Sequence, residues 1–152
     1  MEEKFIISKK FEKAIQEFMD KHEQCARDEL GEKYTYTFVP DTYSLGINIS
    51  CKTCEDALHL TEYYDRGMVG DITVSDTIIF TEDFEEETVD TYLTFTINEE
   101  AKKELEKYYN KHDECPRNAT GGKYYYTFIP TSNGVRIIVN CGYCEDIFEI
   151  VQ

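Results

Sequence analysis

Apolar positions along this chain change period in a fixed order, and the whole order is then run through a second time. A short β-like piece, Lys4–Ile7, leads to Ser8, which stands where a helix N-cap belongs. Phe11, Ile15, Phe18, Met19 and His22 then recur at helical spacing and share one face. After Gly31 the period drops to two: Tyr34, Tyr36 and Phe38 point to one side of a strand, and Pro40, which lacks an N–H, is expected to stop the ladder. Turn-forming residues Asp41–Ser44 separate it from a second strand, Leu45–Ser50, which runs directly into Cys51. Ala57–Leu60 reads as a closing strand, with a helix over Ala57–Tyr64 as the other possibility.

The second pass is offset by 90 residues, and Phe5–Thr61 lies on Phe95–Val151 without a gap. Thr91–Ile97 (or Thr88–Ile97) is the β-like opening and Asn98 the cap. Ala101, Leu105, Tyr108, Tyr109 and His112 form the helix face. Tyr124, Tyr126 and Phe128 alternate up to Pro130, again expected as a stop. Asn133-Gly134 turns the chain, Val135–Asn140 leads into Cys141, and Ile147–Val151 closes. The fold expected is α+β: two tandem homologous β-α-β-β-(β) repeats, residues 1–61 and 95–152, joined by an acidic, β-hairpin-like connection over 62–94.

What the repeat preserves is chemistry. His22, Cys25, Cys51 and Cys54 reappear as His112, Cys115, Cys141 and Cys144, and each Cys-x-x-Cys is followed by Glu-Asp. Three thiols and one imidazole, as two short-spaced pairs far apart in sequence, are the ligand set of a structural zinc site. Two Zn2+ per chain are expected, one per repeat, with all four positions taken by protein and none left for a substrate. Three Cys per repeat is an odd number for disulfides. A redox reading of Cys-x-x-Cys needs a thiolate at a helix end, and Glu55-Asp56 and Glu145-Asp146 would oppose that charge. Three buried thiols with a core histidine is the blander alternative. A unit of about 57 residues sits near the lower size limit for folding on its own core. Metal worth on the order of 10–16 kcal/mol would decide its fold, so losing Cys54 is expected to unfold the first repeat preferentially.

Composition then narrows the function. The chain of 152 residues carries a net charge of −15, and residues 62–94 hold ten acids against one base, Arg66. Binding to nucleic acid relies on Lys and Arg neutralising phosphates, and no basic patch is visible. The aromatic rows read as core beneath a helix, not as a stacking platform, although Tyr125 faces the other way and is a candidate contact. No apolar run reaches membrane-spanning length, and the start, Met1–Ser8, lacks a basic segment followed by a long apolar one, so a reducing cytoplasm is the expected setting. No nucleophile elbow, phosphate loop or dinucleotide glycine pattern occurs, and His59, opposite Glu149 in the repeat, is a lone imidazole. The expected role is therefore non-enzymatic protein binding. The acidic tip Glu82, Asp83, Phe84, Glu85, Glu86 and Glu87 is the candidate contact, an aromatic anchor ringed by like charge that suits a basic groove. Small acidic inhibitors of phage origin, such as those directed at CRISPR effectors, are of this physical type. The alternatives are a zinc-ribbon-like module that touches nucleic acid through its tyrosines, and a Cys-x-x-Cys redox protein.

Overall fold

The structure, a computed structural model, describes residues 3–63, 91–119 and 121–152. The acidic tip Glu82–Glu87 and most of the connection expected over 62–94 lie outside the described residues. The fold is mixed α+β, with antiparallel sheets and two short helices. The first half runs β1 (Glu3–Ser8), a 3-10 turn (Lys9–Phe11), α1 (Glu12–Lys21), β2 (Tyr34–Pro40), β3 (Ser44–Cys51) and β4 (Ala57–Tyr63). The second runs β5 (Thr91–Ile97), α2 (Glu99–Lys111), β6 (Tyr124–Thr131), β7 (Gly134–Cys141) and β8 (Ile147–Val151).

Local chemistry sets these elements. Asn98 Oδ1 accepts from the Ala101 N–H at 2.8 Å, and Glu99 and Glu100 complement the positive end of α2. Ser8 caps the 3-10 turn instead of the α-helix, with Lys10 N–H donating to its hydroxyl. Asp41 Oδ1 gathers the N–H groups of Tyr43 and Ser44 to close the β2–β3 turn. Residues 57–63 form a strand, paired with β3 from Ser50/Ala57 to Ser44/Tyr63. The prolines behave differently from the sequence expectation. Pro40 is the last residue of β2, opposite Leu45, whereas Pro130 lies inside the β6 ladder, which continues to Thr131 opposite Gly134. Proline is tolerated there because β6 pairs with β2 only over Tyr126–Phe128, so beyond that point an N–H on that side would have no strand to meet.

Each half contributes a three-stranded meander, and β2 pairs with β6 to make one six-stranded sheet in the order β4-β3-β2-β6-β7-β8. β1 and β5 form a separate two-stranded ribbon. In both cross-half pairings the central partners are a residue and its own counterpart 90 positions on: Phe5 opposite Phe95, and Thr37 opposite Thr127. That register is the signature of a twofold axis through the two pairs. The hydroxyls of Thr37 and Thr127 share a hydrogen bond of 3.0 Å on this axis.

The core lies between one face of the large sheet and a layer made of the ribbon and the helices. Tyr36, Phe38, Ile47 and Ile49 from one meander and Tyr126, Phe128, Ile137 and Val139 from the other are buried with Ile15, Phe18, Leu105 and Tyr108 of the helices. The aromatic rows are therefore core, with Tyr34 and Tyr124 half-buried at the edge. Contacts cross the axis reciprocally. Phe5 packs on Tyr126 and Phe128 at 4.9 and 5.1 Å, while Phe95 packs on Tyr36 at 4.9 Å. Aromatic pairs at such distances add roughly 0.5–1.5 kcal/mol each beyond burial. One hydrophobic core thus serves both halves.

A charged cluster also bridges them. Glu32 is fully buried, and its Oε1 receives the ammonium of Lys52 and, at 3.0 Å, the guanidinium of Arg136 from the other half. Lys52 also reaches Asp28 at 2.9 Å, and Arg136 reaches Glu149 at 3.1 Å. The hydrogen bond from Lys52 holds the Asp28 carboxyl below its ordinary range, and Glu32 followed by Asp28 raises the Lys52 ammonium. The cluster has no copy related by the 90-residue offset: Glu32, Lys52 and Arg136 correspond to Gly122, Gly142 and Gly46.

Candidate metal centres

α1 ends at Lys21, and His22 caps it with its ring turned into the protein, 6% exposed and 4.5 Å from the Phe18 ring. The turn that follows carries Cys25, whose N–H donates to the His22 carbonyl at 3.0 Å. β3 delivers Cys51, fully buried, and the next turn presents Cys54 before β4 begins. That turn is pinned by Glu55 N–H to Cys51 C=O at 2.8 Å and Cys51 N–H to Asp56 C=O at 2.9 Å. It requires a left-handed backbone at Glu55, φ 64°. The second half repeats every feature, with Glu145 at φ 63° and the His112 ring 4.4 Å from Tyr108.

The result is two compact sets of donors. The ligand atoms of His22, Cys25, Cys51 and Cys54 all lie within 4.8 Å of one another, as do those of His112, Cys115, Cys141 and Cys144. His22 Nδ1 stands 3.2 Å from Cys54 Sγ and 3.7 Å from Cys25 Sγ; the equivalent distances at His112 are 3.2 and 3.6 Å. In a tetrahedron with Zn–S near 2.3 Å and Zn–N near 2.0–2.1 Å, N···S edges come to about 3.6 Å. The two clusters fit structural zinc, and soft thiolates with one imidazole suit that ion better than a hard cation.

The surroundings have the same character. His22 Nε2 lies 3.0 Å from Asp56 Oδ2, and His112 Nε2 lies 3.0 Å from Asp146 Oδ2. A carboxylate on the far nitrogen fixes the imidazole so that Nδ1 presents its lone pair to the sulfurs. Asp56 and Asp146, read from the sequence as charges opposing a thiolate, are turned to the histidine instead. The Glu-Asp string repeated after each Cys pair was the signal for this role.

Thiol acidity is divided within each set. At Cys51 desolvation works to raise the thiol, yet the N–H groups of Cys54 and Thr53 and the neighbouring thiols hold it below its ordinary value. Cys141 behaves alike. Cys25 and Cys115 are pushed up to about 11 by desolvation and by the two adjoining cysteines. Cys25 and Cys115 therefore retain their protons until a cation compensates the charge that gathers there.

All six cysteines are free thiols. Cys-x-x-Cys lies in a turn between two strands, so no following helix end is there to activate a thiolate as a redox motif requires. His59 stands apart, on the exposed side of β4, with Nδ1 close to Asn48 Oδ1. No described helix is long and apolar enough to cross a membrane. No family model matches the chain, and no curated protein or solved structure shows significant similarity to it.

Proposed function

We propose that the chain is a non-enzymatic, zinc-stabilised protein-binding module, an acidic inhibitor or adaptor that docks on the basic groove of a nucleic-acid-handling protein. Two homologous units each hold a structural Zn2+ through His22, Cys25, Cys51, Cys54 and His112, Cys115, Cys141, Cys144. They carry between them the acidic connection over residues 62–94 as the contact. The observation that supports this most directly is the closure of both donor sets. Four protein ligands converge at each, which suits a metal that holds a fold together and leaves no position for water or substrate. The ion would supply cross-linking of the helix end to the hairpin end. The chain's own residues orient it, through Asp56 and Asp146 on the histidines.

Charge supports the partner. Ten acids over residues 62–94 around Phe84 suit steering toward a basic surface followed by anchoring of the ring. The test is capture of a basic partner from host lysate by wild type and by a variant with Glu85, Glu86 and Glu87 changed to Lys, each at low and at moderate salt. Loss of capture in the variant, and weakening with salt in the wild type, is the expected result. Equal capture by both would remove the acidic tip from the account.

A further inference from the structure

The large sheet ends on β4 at one side and on β8 at the other, and main-chain bonding fixes what each edge presents. Val135 and Gln152 exchange both of their N–H···O=C bonds, at 2.9 and 3.1 Å, and Cys141 N–H donates to Asp146 C=O at 3.0 Å. Bonded and non-bonded pairs alternate along an antiparallel ladder. Phe148 and Ile150 therefore turn their N–H and C=O groups to β7, and Ile147, Glu149 and Val151 turn theirs outward. Among the described residues no strand lies beside them. Edge strands are commonly protected by Lys, Pro or a bulge. β8 has none of the three and pairs residue for residue from Ile147 to Val151.

The side chains of the same three residues project from the sheet face away from the core. Ile147 and Val151 are 56% and 57% exposed. Between them stands Glu149, opposite Ile138. Its Oε1 takes the Arg136 guanidinium at 3.1 Å, and the side chain is still 48% exposed. The counterparts on β4 are Ala57, His59 and Thr61, with the imidazole turned to Asn48 Oδ1. Only β8 thus joins an outward ladder to two large aliphatic side chains and a carboxylate.

A carboxylate flanked by aliphatic groups suits a long cationic side chain, whose methylenes lie on Ile147 and Val151 while its head meets Glu149. A second copy suits it poorly. The antiparallel register that pairs all three residues sets Glu149 against Glu149, and like charges directly opposite destabilise a ladder. Each chain also brings a net charge of −15. A basic segment has the right sign on both counts.

The geometry points to the outer edge of β8 as a docking site for an extended basic segment of a partner protein. That segment adds as a further strand, with a Lys or Arg on Glu149 and apolar residues two positions to either side. The site is separate from the acidic connection over residues 62–94, and failure of either assignment leaves the other standing.

The probe is the capped peptide Thr-Val-Thr-Lys-Thr-Val-Thr, titrated into the zinc-loaded full chain labelled with 15N. Saturable shifts and slowed hydrogen exchange are expected at the amides of Ile147, Glu149 and Val151, with none at Ala57, His59 and Thr61. Two altered peptides leave the protein untouched. Replacing the peptide's Lys with Glu should abolish the shifts, and so should methylating the backbone nitrogen of that Lys, which keeps its charge but removes the ladder donor facing Glu149. The variant Ile147→Ala, Glu149→His, Val151→Thr writes the β4 residues into β8, and affinity should fall about tenfold or more. Equal shifts on β4, shifts confined to residues 64–90, binding that survives either peptide change, or no binding at millimolar peptide would overturn the assignment. Shifts of the same three amides with protein concentration alone would give the edge to a second copy, and would overturn it too.

Discussion

Replacing Glu32 with Gln keeps the shape of a fully buried side chain while removing the charge that Lys52 and Arg136 both face. Breaking a buried ion pair from one side costs roughly 3–5 kcal/mol, because the remaining charge stays desolvated. Lys52 and Arg136 keep 31% and 25% of their side-chain surface exposed, so each recovers part of its hydration when released. The expected loss is therefore about 2–3 kcal/mol, below the fully buried case. For a chain of this size about 2–4 °C of melting temperature accompanies each kcal/mol, which places the shift at about 4–12 °C. The assay is urea and thermal unfolding of the zinc-saturated protein, followed by near- and far-ultraviolet circular dichroism. Glu104→Gln is the reference, since its i,i+3 pair with Lys107 is exposed at both ends and is worth at most about 0.5 kcal/mol. A loss at Glu32 no larger than that at Glu104 would refute the reasoning, because it would mean that Glu32 is solvated or that its cations find equivalent partners.

The metal centres carry four more expectations. Asp56→Asn or Asp146→Asn should weaken zinc binding at its own site about 10–100-fold, the usual size of such an outer-partner effect, read by competition with a chromophoric chelator. Glu55→Gly relieves a left-handed backbone that costs a non-glycine residue about 1–2 kcal/mol, less the entropy that glycine loses on folding; a net gain of about 0.5–1 kcal/mol in urea unfolding is expected, and a loss would show that the Glu55 side chain matters more than its φ of 64°. Zinc affinity should fall as pH falls, since the ion must displace protons from thiols of which Cys25 and Cys115 are held up at about 11; pH-independent affinity in the same competition assay would contradict that. Losing one site by Cys54→Ser should now disturb both halves together, because the core is shared and a unit cannot unfold without exposing the other's aromatic cluster.

The ligand sets were legible because a repeat inside one chain separates what is kept from what drifts, and His22, Cys25, Cys51 and Cys54 were kept. The hairpins were legible from alternation and turn residues. Pairing of β2 with β6 was not: it has no turn to announce it, and the stretch around Thr37 and Thr127 looks the same for a strand edge as for a sheet centre. Asp56 was visible but misassigned, since a charge beside a thiol says nothing about which way its carboxylate turns. Glu32 was one acid among 31. Only its joint replacement with Lys52 and Arg136, as Gly122, Gly142 and Gly46, sets it apart, and that pattern has meaning once the three are known to touch.

A twofold arrangement within a single chain has a consequence for counting. Any surface built from positions that both halves retain is present twice, so a partner gripping it would bind with two copies to one chain. A surface built where the halves differ, such as the single connection between them, admits one copy only. The stoichiometry of a complex would thus report, before any mapping, which kind of surface is in use.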